Sequence, residues 1–292
     1  MLAKLTGNSE AAEPPRRKLL DGWAVLAIPG VVFLTLFFVL PVFRMGARSF
    51  TDPGPENYLV FVESSVYARV LWTTIRISLL VTVICIALGY PYAYAMNHSG
   101  NRLRALLAAL VLVPFWSSLL VRTYAWTVLL GDTGVINSLL LRLGVIEHPV
   151  ALMRNTLGVT IGMSHILLPF MVLPVFAAMR RIDADLIPAA KGLGASAARA
   201  FLRVFMPLSL PGVAAGCLLV FVLSLGFYIT PSLLGNPRNA MFSELVVNMV
   251  TERLQFGTGS ALAITLLAVT LILLWVGSRF VRISEAFGPA QD

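Results

Sequence analysis

Apolar positions in this chain gather in six near-continuous blocks, without the alternation of a half-buried strand or the single stripe of a surface helix. The blocks are Trp23 to Phe43, Ile77 to Asn97, Ala105 to Leu130, Thr156 to Met179, Gly212 to Leu234 and Ser260 to Ser278. Each is near the ~20 residues that a helix needs to cross ~30 Å of hydrocarbon. A helix satisfies its own backbone in lipid, so the pattern predicts an all-α polytopic membrane protein with six transmembrane helices. Only the third block carries a formal charge well inside its limits, Arg122. The first block follows Arg16, Arg17 and Lys18, but its uncharged length exceeds a signal-peptide core and no small-x-small cleavage site follows it. It is read as a retained span.

Polar intervals divide the blocks. Residues 1 to 20 lack periodicity and are expected to be a disordered tail, residues 21 to 283 one membrane domain, and residues 284 to 292 a second short tail. Between the first two blocks, Thr51-Asp52-Pro53-Gly54-Pro55 is turn chemistry, and Tyr58 to Leu71 is expected to form a short interfacial helix. Val135, Ile136, Leu139, Leu140 and Leu143 recur at helical spacing and predict a second interfacial helix. A third helix is predicted over Ser243 to Leu254.

Composition supports the membrane reading. The 292 residues are 58% hydrophobic and only 12% charged, whereas soluble chains are nearer a quarter charged. The net charge of +8 is spread among apolar helices and forms no nucleic-acid footprint. Its placement sets orientation: 13 of the 22 Lys and Arg fall on the side of the N-terminus, with Arg102 and Arg104 in a short loop and Arg180 and Arg181 just after the fourth block. Both termini are therefore expected in the cytoplasm. Cys85 and Cys217 lie in different spans and read as small buried hydrophobes. An intramembrane enzyme is disfavoured. Ser164 and His165 are neighbours that point about 100° apart on one helix, and three scattered histidines offer no metal-ligand spacing. No catalytic residue, metal or cofactor is expected.

The interval Arg180 to Gly212, enclosing a loop at 180–211, is the most informative segment. Asp183 to Ala190 and Ser196 to Phe205 read as short helices, with Ser196 capping the second. Gly192 and Gly194 permit a sharp reversal between them, and Pro207 and Pro211 are expected to stop the second helix. Pro188-Ala189-Ala190, three residues, Gly194, nine residues and Val204-Phe205-Met206-Pro207 resemble the conserved loop of ABC-importer permeases, Glu-Ala-Ala, three residues, Gly, nine residues, Ile-x-Leu-Pro. Pro188 replaces the glutamate, so a role of that acid is either absent or met by Asp183 or Asp185. Gly89-Tyr90-Pro91-Tyr92-Ala93-Tyr94, Pro114-Phe115-Trp116, Leu120 to Trp126, Leu168 to Pro174 and Phe227 to Gly235 are similar to the first permease subunit of spermidine/putrescine importers.

The resemblance, over roughly residues 20 to 283, implies a type I ABC-importer permease fold with a cytoplasmic coupling-helix loop. It also implies a small solute, a polyamine such as spermidine or putrescine, or alternatively another small amine, an opine or a phosphonate. Implied partners are a cytoplasmic ABC ATPase dimer that holds the hydrolytic site, a second permease (a distinct homologue), a secreted solute-binding protein and membrane lipid. On the loop, Ala189, Ala190 and Gly194, beside Pro188 and Pro207, would seat against the ATPase. Phe201 and Leu202 would be apolar anchors, with Arg199 or Arg203 at the rim. Tyr90, Trp116, Tyr124, Trp126 and Tyr228 could offer aromatic faces to a polycation. Asp132 is the acid nearest the third block, and no Asp or Glu lies deep in any block. Arg122 could pair with Asp132, snorkel, or meet an anionic solute.

Overall fold

The computed structural model describes residues 22–286. The expected N-terminal tail, with its basic run Arg16 to Lys18, and residues 287–292 of the expected C-terminal tail lie outside it. The described residues form two compact units, 22–45 and 46–286. In the first unit the leading span is helical from α1 (Gly22–Leu34) through a π-helical turn at Thr35–Val39 into α2 (Leu40–Thr51), which continues into the second unit. Its large apolar side chains from Leu26 to Leu40 are exposed.

In the second unit a 3-10 turn (Pro55–Tyr58) and α3 (Val60–Glu63) lead to α4 (Ser65–His98). The separate interfacial helix expected over Tyr58 to Leu71 is not what forms: Ser64 caps Val66 N, and the helix then runs on unbroken into the second span. Next come α5 (Asn101–Leu112), α6 (Leu119–Leu130), α7 (Val135–Arg142), α8 (Thr156–Arg180), α9 (Leu186–Gly192), α10 (Ala197–Ala200), α11 (Met206–Leu225), α12 (Ile229–Leu234), α13 (Phe242–Thr251) and α14 (Phe256–Ala286). No strand occurs among the described residues, as the apolar blocks predict. α7 and α13 occupy the two later positions where interfacial helices are expected.

One of the six spans is broken, and another is shifted from its expected bounds. The third block is not one straight helix. Pro114 enters a 3-10 turn (Val113–Trp116), Ser117 and Ser118 are extended, and the segments on either side are bent by 103°. The fifth block ends early at Leu225, with an irregular Gly226–Tyr228 before α12. It also begins before Gly212. Pro207 and Pro211 do not stop the preceding helix, because a π-helical turn at Phe201–Phe205 takes up the strain. There Met206 N donates to Phe201 O, and helix runs from Ala197 to Leu225.

Packing centres on α8, which buries residues along its whole length against α4 and α11. Glycines permit this close approach. A Cβ on Gly89 would meet Met171 Cγ at 2.8 Å, and one on Gly216 would meet Met171 Sδ at 2.8 Å. One on Gly212 would strike Ala178 Cβ and come within 2.7 Å of the Pro174 carbonyl oxygen. Small residues are how helices associate where lipid offers no hydrophobic drive. Gly212→Val, against rigid backbone, is expected to destabilise by about 3 kcal/mol. It should lower the thermal midpoint of the solubilised protein, whereas Gly30→Val, with nothing within 4 Å of its Cβ, should not.

At the α4–α5 turn, Arg104 donates to Met96 O at 3.1 Å and to Ser99 O at 2.8 Å, closing the carbonyl end of α4. At the other end of the bundle, Phe242 N donates to Thr74 Oγ1 at 2.8 Å, and Asn57 donates to Ser49 O, Asp52 O and Gly54 O while accepting from Thr258.

Candidate functional site

The loop between α8 and α11 is built around one backbone device. α9 ends with Gly194 N donating to Lys191 O at 2.9 Å and Ala195 N to Ala190 O at 3.0 Å. This pair of bonds is a Schellman cap, and it requires the left-handed conformation that Gly194 adopts, with φ 89°. Gly192, expected to share the reversal, is the last helical residue of α9. Pro188 falls at the third position of α9, where no intrahelical acceptor awaits its missing N–H. The replacement of glutamate therefore leaves the helix start intact. Asp185 precedes the first helical residue but makes no side-chain cap. After the reversal Ser196 accepts from Arg199 N at 3.4 Å and starts α10.

The loop has two faces. Outward lie Pro188, Ala189, Gly194, Arg199, Leu202 and Pro207, while Ala190 is half-buried. Leu193, at the apex, is 91% exposed, the most exposed of the large apolar side chains among the described residues. Sequence reasoning passed over it, although its signal is plain: a lone leucine held between Gly192 and Gly194. Inward lie Ala200, Phe205 and, half-buried, Phe201. Phe201 meets Tyr94 edge-on with ring centroids 5.4 Å apart, and Phe205 meets the same ring at 5.3 Å. Tyr94 lies 4.1 Å from the His98 ring, which also meets Phe205 at 5.7 Å. Tyr90 joins them with its edge toward Phe201 and shares a 2.9 Å hydrogen bond with Ser209 Oγ. Of the two expected anchors, then, Leu202 faces out and Phe201 is engaged with α4.

The expected path residues disperse. Tyr90 belongs to the aromatic cluster just described. Trp116 (82% exposed) stands at the break in the third span, with Tyr124 (58%) on α6 and Tyr228 (40%) at the break after α11. Thr123 and Thr230 share a 3.2 Å hydrogen bond that ties α6 to α12, so these two broken segments are neighbours. Trp126 donates Nε1–H to His165 Nδ1 at 3.2 Å. Asp132 is exposed beyond the end of α6 and does not pair with Arg122. Among the described residues the ion pair within 4.0 Å is Arg48–Asp52. Ser164 is buried while His165 is exposed, so the two side chains diverge as their adjacency predicts.

Acids gather at the bundle end away from the loop. Asp52, Glu56 and Glu63 line a pocket of ≈ 750 Å³ with Gln255 and Phe256. On α13, Glu252 accepts from Asn248 Nδ2 at 2.5 Å, and half-buried Glu244 has an Oε2 without a partner. Burial first, and the Glu252 charge second, push the Glu244 carboxyl above the ordinary glutamate range, partly offset by a backbone hydrogen bond at Met241. A raised folded value means that ionisation, which proceeds as pH rises from the unfolded toward the folded value, costs stability. Glu244→Gln should raise the thermal midpoint at pH 8 and change it little at pH 4; a fall at pH 8 would contradict this.

The model of the family described as binding-protein-dependent transport system inner membrane component matches residues 17–285. The chain belongs to this family. It is 32% identical over 262 residues to the spermidine/putrescine transport system permease protein PotB of Haemophilus influenzae, covering 88% of this chain and 90% of that one. It is 34% identical over 264 residues to PotB of Escherichia coli, covering 86% and 96%. Among solved structures, a chain of a bacterial alginate ABC transporter in complex with an alginate-bound periplasmic protein superposes with a TM-score of 0.72 at 18% identity, over 90% of this chain and 95% of that one. That likeness concerns the fold, and it matches the permease architecture expected from the loop. The chain is thus a multi-pass inner-membrane transport component and not an enzyme.

Proposed function

We propose that this chain is one of two permease subunits of an ATP-driven importer for a polyamine such as spermidine or putrescine, with both termini in the cytoplasm. The observation that carries the substrate class is length-wide similarity to permeases named for those solutes. The geometry supports it: Trp116 and Tyr228 expose aromatic faces at helix breaks, where a path through the membrane can open, and Tyr124 exposes another on α6.

A separate ATPase dimer docks on the outward face of the loop. There Leu193 and Leu202 are the apolar anchors, small Ala189 allows close seating, and Arg199 forms the rim. A secreted binding protein delivers solute to the opposite end, where Asp52, Glu56 and Glu63 favour a cation. ATP binding closes the ATPases, draws the two loops together and opens the path outward; hydrolysis returns it inward.

Titration of the partner binding protein with spermidine, putrescine and anionic amines tests the substrate class. Saturable binding of a polyamine is expected, and failure of every polyamine ends the assignment. One observation favours a second reading, an anionic solute: Arg122 sits in a span with no acid beside it. Binding of a carboxylate- or phosphonate-bearing ligand in the same titration would select it.

A further inference from the structure

Where α6 meets α8 the chain presents a patch of hydrogen-bond donors centred on an unpaired arginine, and we propose that it is the seam with a second, different permease chain that supplies a carboxylate within the membrane. Arg122 Nε is buried without a partner, and the guanidinium makes no ion pair among the described residues. One turn along α6, Trp126 donates to His165 Nδ1. That bond occupies the imidazole lone pair at Nδ1, so the neutral ring carries its proton on Nε2. His165 is exposed and offers that N–H outward. Ser118, at the start of α6, makes no side-chain cap, which leaves the helix's positive end beside the same arginine. The charge here is positive, and no ion pair offsets it among the described residues.

Lipid tails accept no hydrogen bonds, and an arginine facing them is costly. A polyamine is itself a polycation with N–H donors, so Arg122 repels it; this step rests on the polyamine reading. What satisfies the patch is an acceptor with negative charge. A second copy of this chain is poorly equipped to supply one. None of its Asp or Glu lies inside the six apolar blocks, and Asp132, the nearest, is exposed beyond the end of α6. A two-fold copy would also set like patches in equivalent places. The acceptor therefore belongs to a chain of different sequence with an Asp or Glu in one of its spans.

The test uses the complete importer in native membranes. A photo-crosslinking benzoylphenylalanine replaces His165, and the adduct is identified by mass spectrometry. The expected adduct is a different membrane chain, at a peptide with an acid inside an apolar stretch. Arg122→Glu should reduce recovery of that chain by on the order of a hundredfold, as stranding of a buried charge does, and changing the partner's acid to arginine should restore it. Cross-linking to a second copy, or to lipid alone, overturns the proposal. So does Arg122→Gln that leaves partner recovery unchanged while raising the uptake KM, which places Arg122 in the solute path. The substrate reading fails on a different measurement, the ligand titration of the binding protein, while the cross-link still reports what lies against the patch.

Discussion

Gly194→Asp is expected to abolish ATP-coupled uptake while leaving the protein inserted in the membrane at normal level. The glycine holds φ 89° in the Schellman cap that ends α9, where an L-residue pays about 1–2 kcal/mol. Nothing lies within 4 Å of an added Cβ, so the substitution creates no clash with the bundle. Its cost is local, and it falls on the turn that presents Leu193 and sets the direction of α9. The aspartate also adds charge and bulk to the proposed ATPase-docking face. Uptake of labelled solute should vanish, recovery of the ATPase with the permease should fall, and membrane levels should hold. Gly194→Asn tolerates the left-handed region better and should retain part of the activity. Normal uptake in the aspartate variant would remove the loop from the coupling mechanism.

The same residue shows what the sequence makes legible. Bilayer thickness alone demands long apolar blocks, so the spans can be read directly. A glycine four residues beyond Ala190 can be read as a reversal because few other residues adopt the required angle. What cannot be read is anything decided by contact between distant segments. Pro207 looks like a helix stop, but a widened turn just before it removes the conflict with the preceding carbonyls, and the helix continues. Arg122 and Asp132 look like a pair along one chain, yet Asp132 lies past the end of α6 and stays in the open. Pro114 sits in a block that is apolar on both sides, so hydropathy reports one span where the backbone turns by 103°. Phe201 looks like an anchor for a partner because its helical face is apolar. What claims that face is α4, more than a hundred residues earlier in the chain.

That contact makes α10 and the π-helical turn a linkage to the bundle, and Tyr94→Ala is expected to uncouple the importer. The tyrosine ring meets Phe201, Phe205 and His98, with centroids between 4.1 and 5.4 Å. Aromatic pairs of this kind contribute about 0.5–1.5 kcal/mol each beyond their buried area, so the truncation removes about 3 kcal/mol or more of attachment. The outward face, with Leu193, Leu202 and Arg199, is untouched, so the ATPase should still bind and hydrolyse. Its movement would no longer be delivered to α4, and uptake per ATP should fall about tenfold, a loss that ~1.4 kcal/mol of lost coupling suffices to produce. Tyr94→Phe keeps the ring and should restore coupling. Tyr90→Phe, which removes only the hydrogen bond to Ser209, should cost far less, because one neutral hydrogen bond nets about 1 kcal/mol. Hydrolysis and uptake measured on the same reconstituted vesicles distinguish this from simple misfolding, which lowers both together. An alanine variant that keeps its full uptake per ATP would show that the stroke reaches the bundle by another route, with the continuous helix from Ala197 to Leu225 the remaining connection.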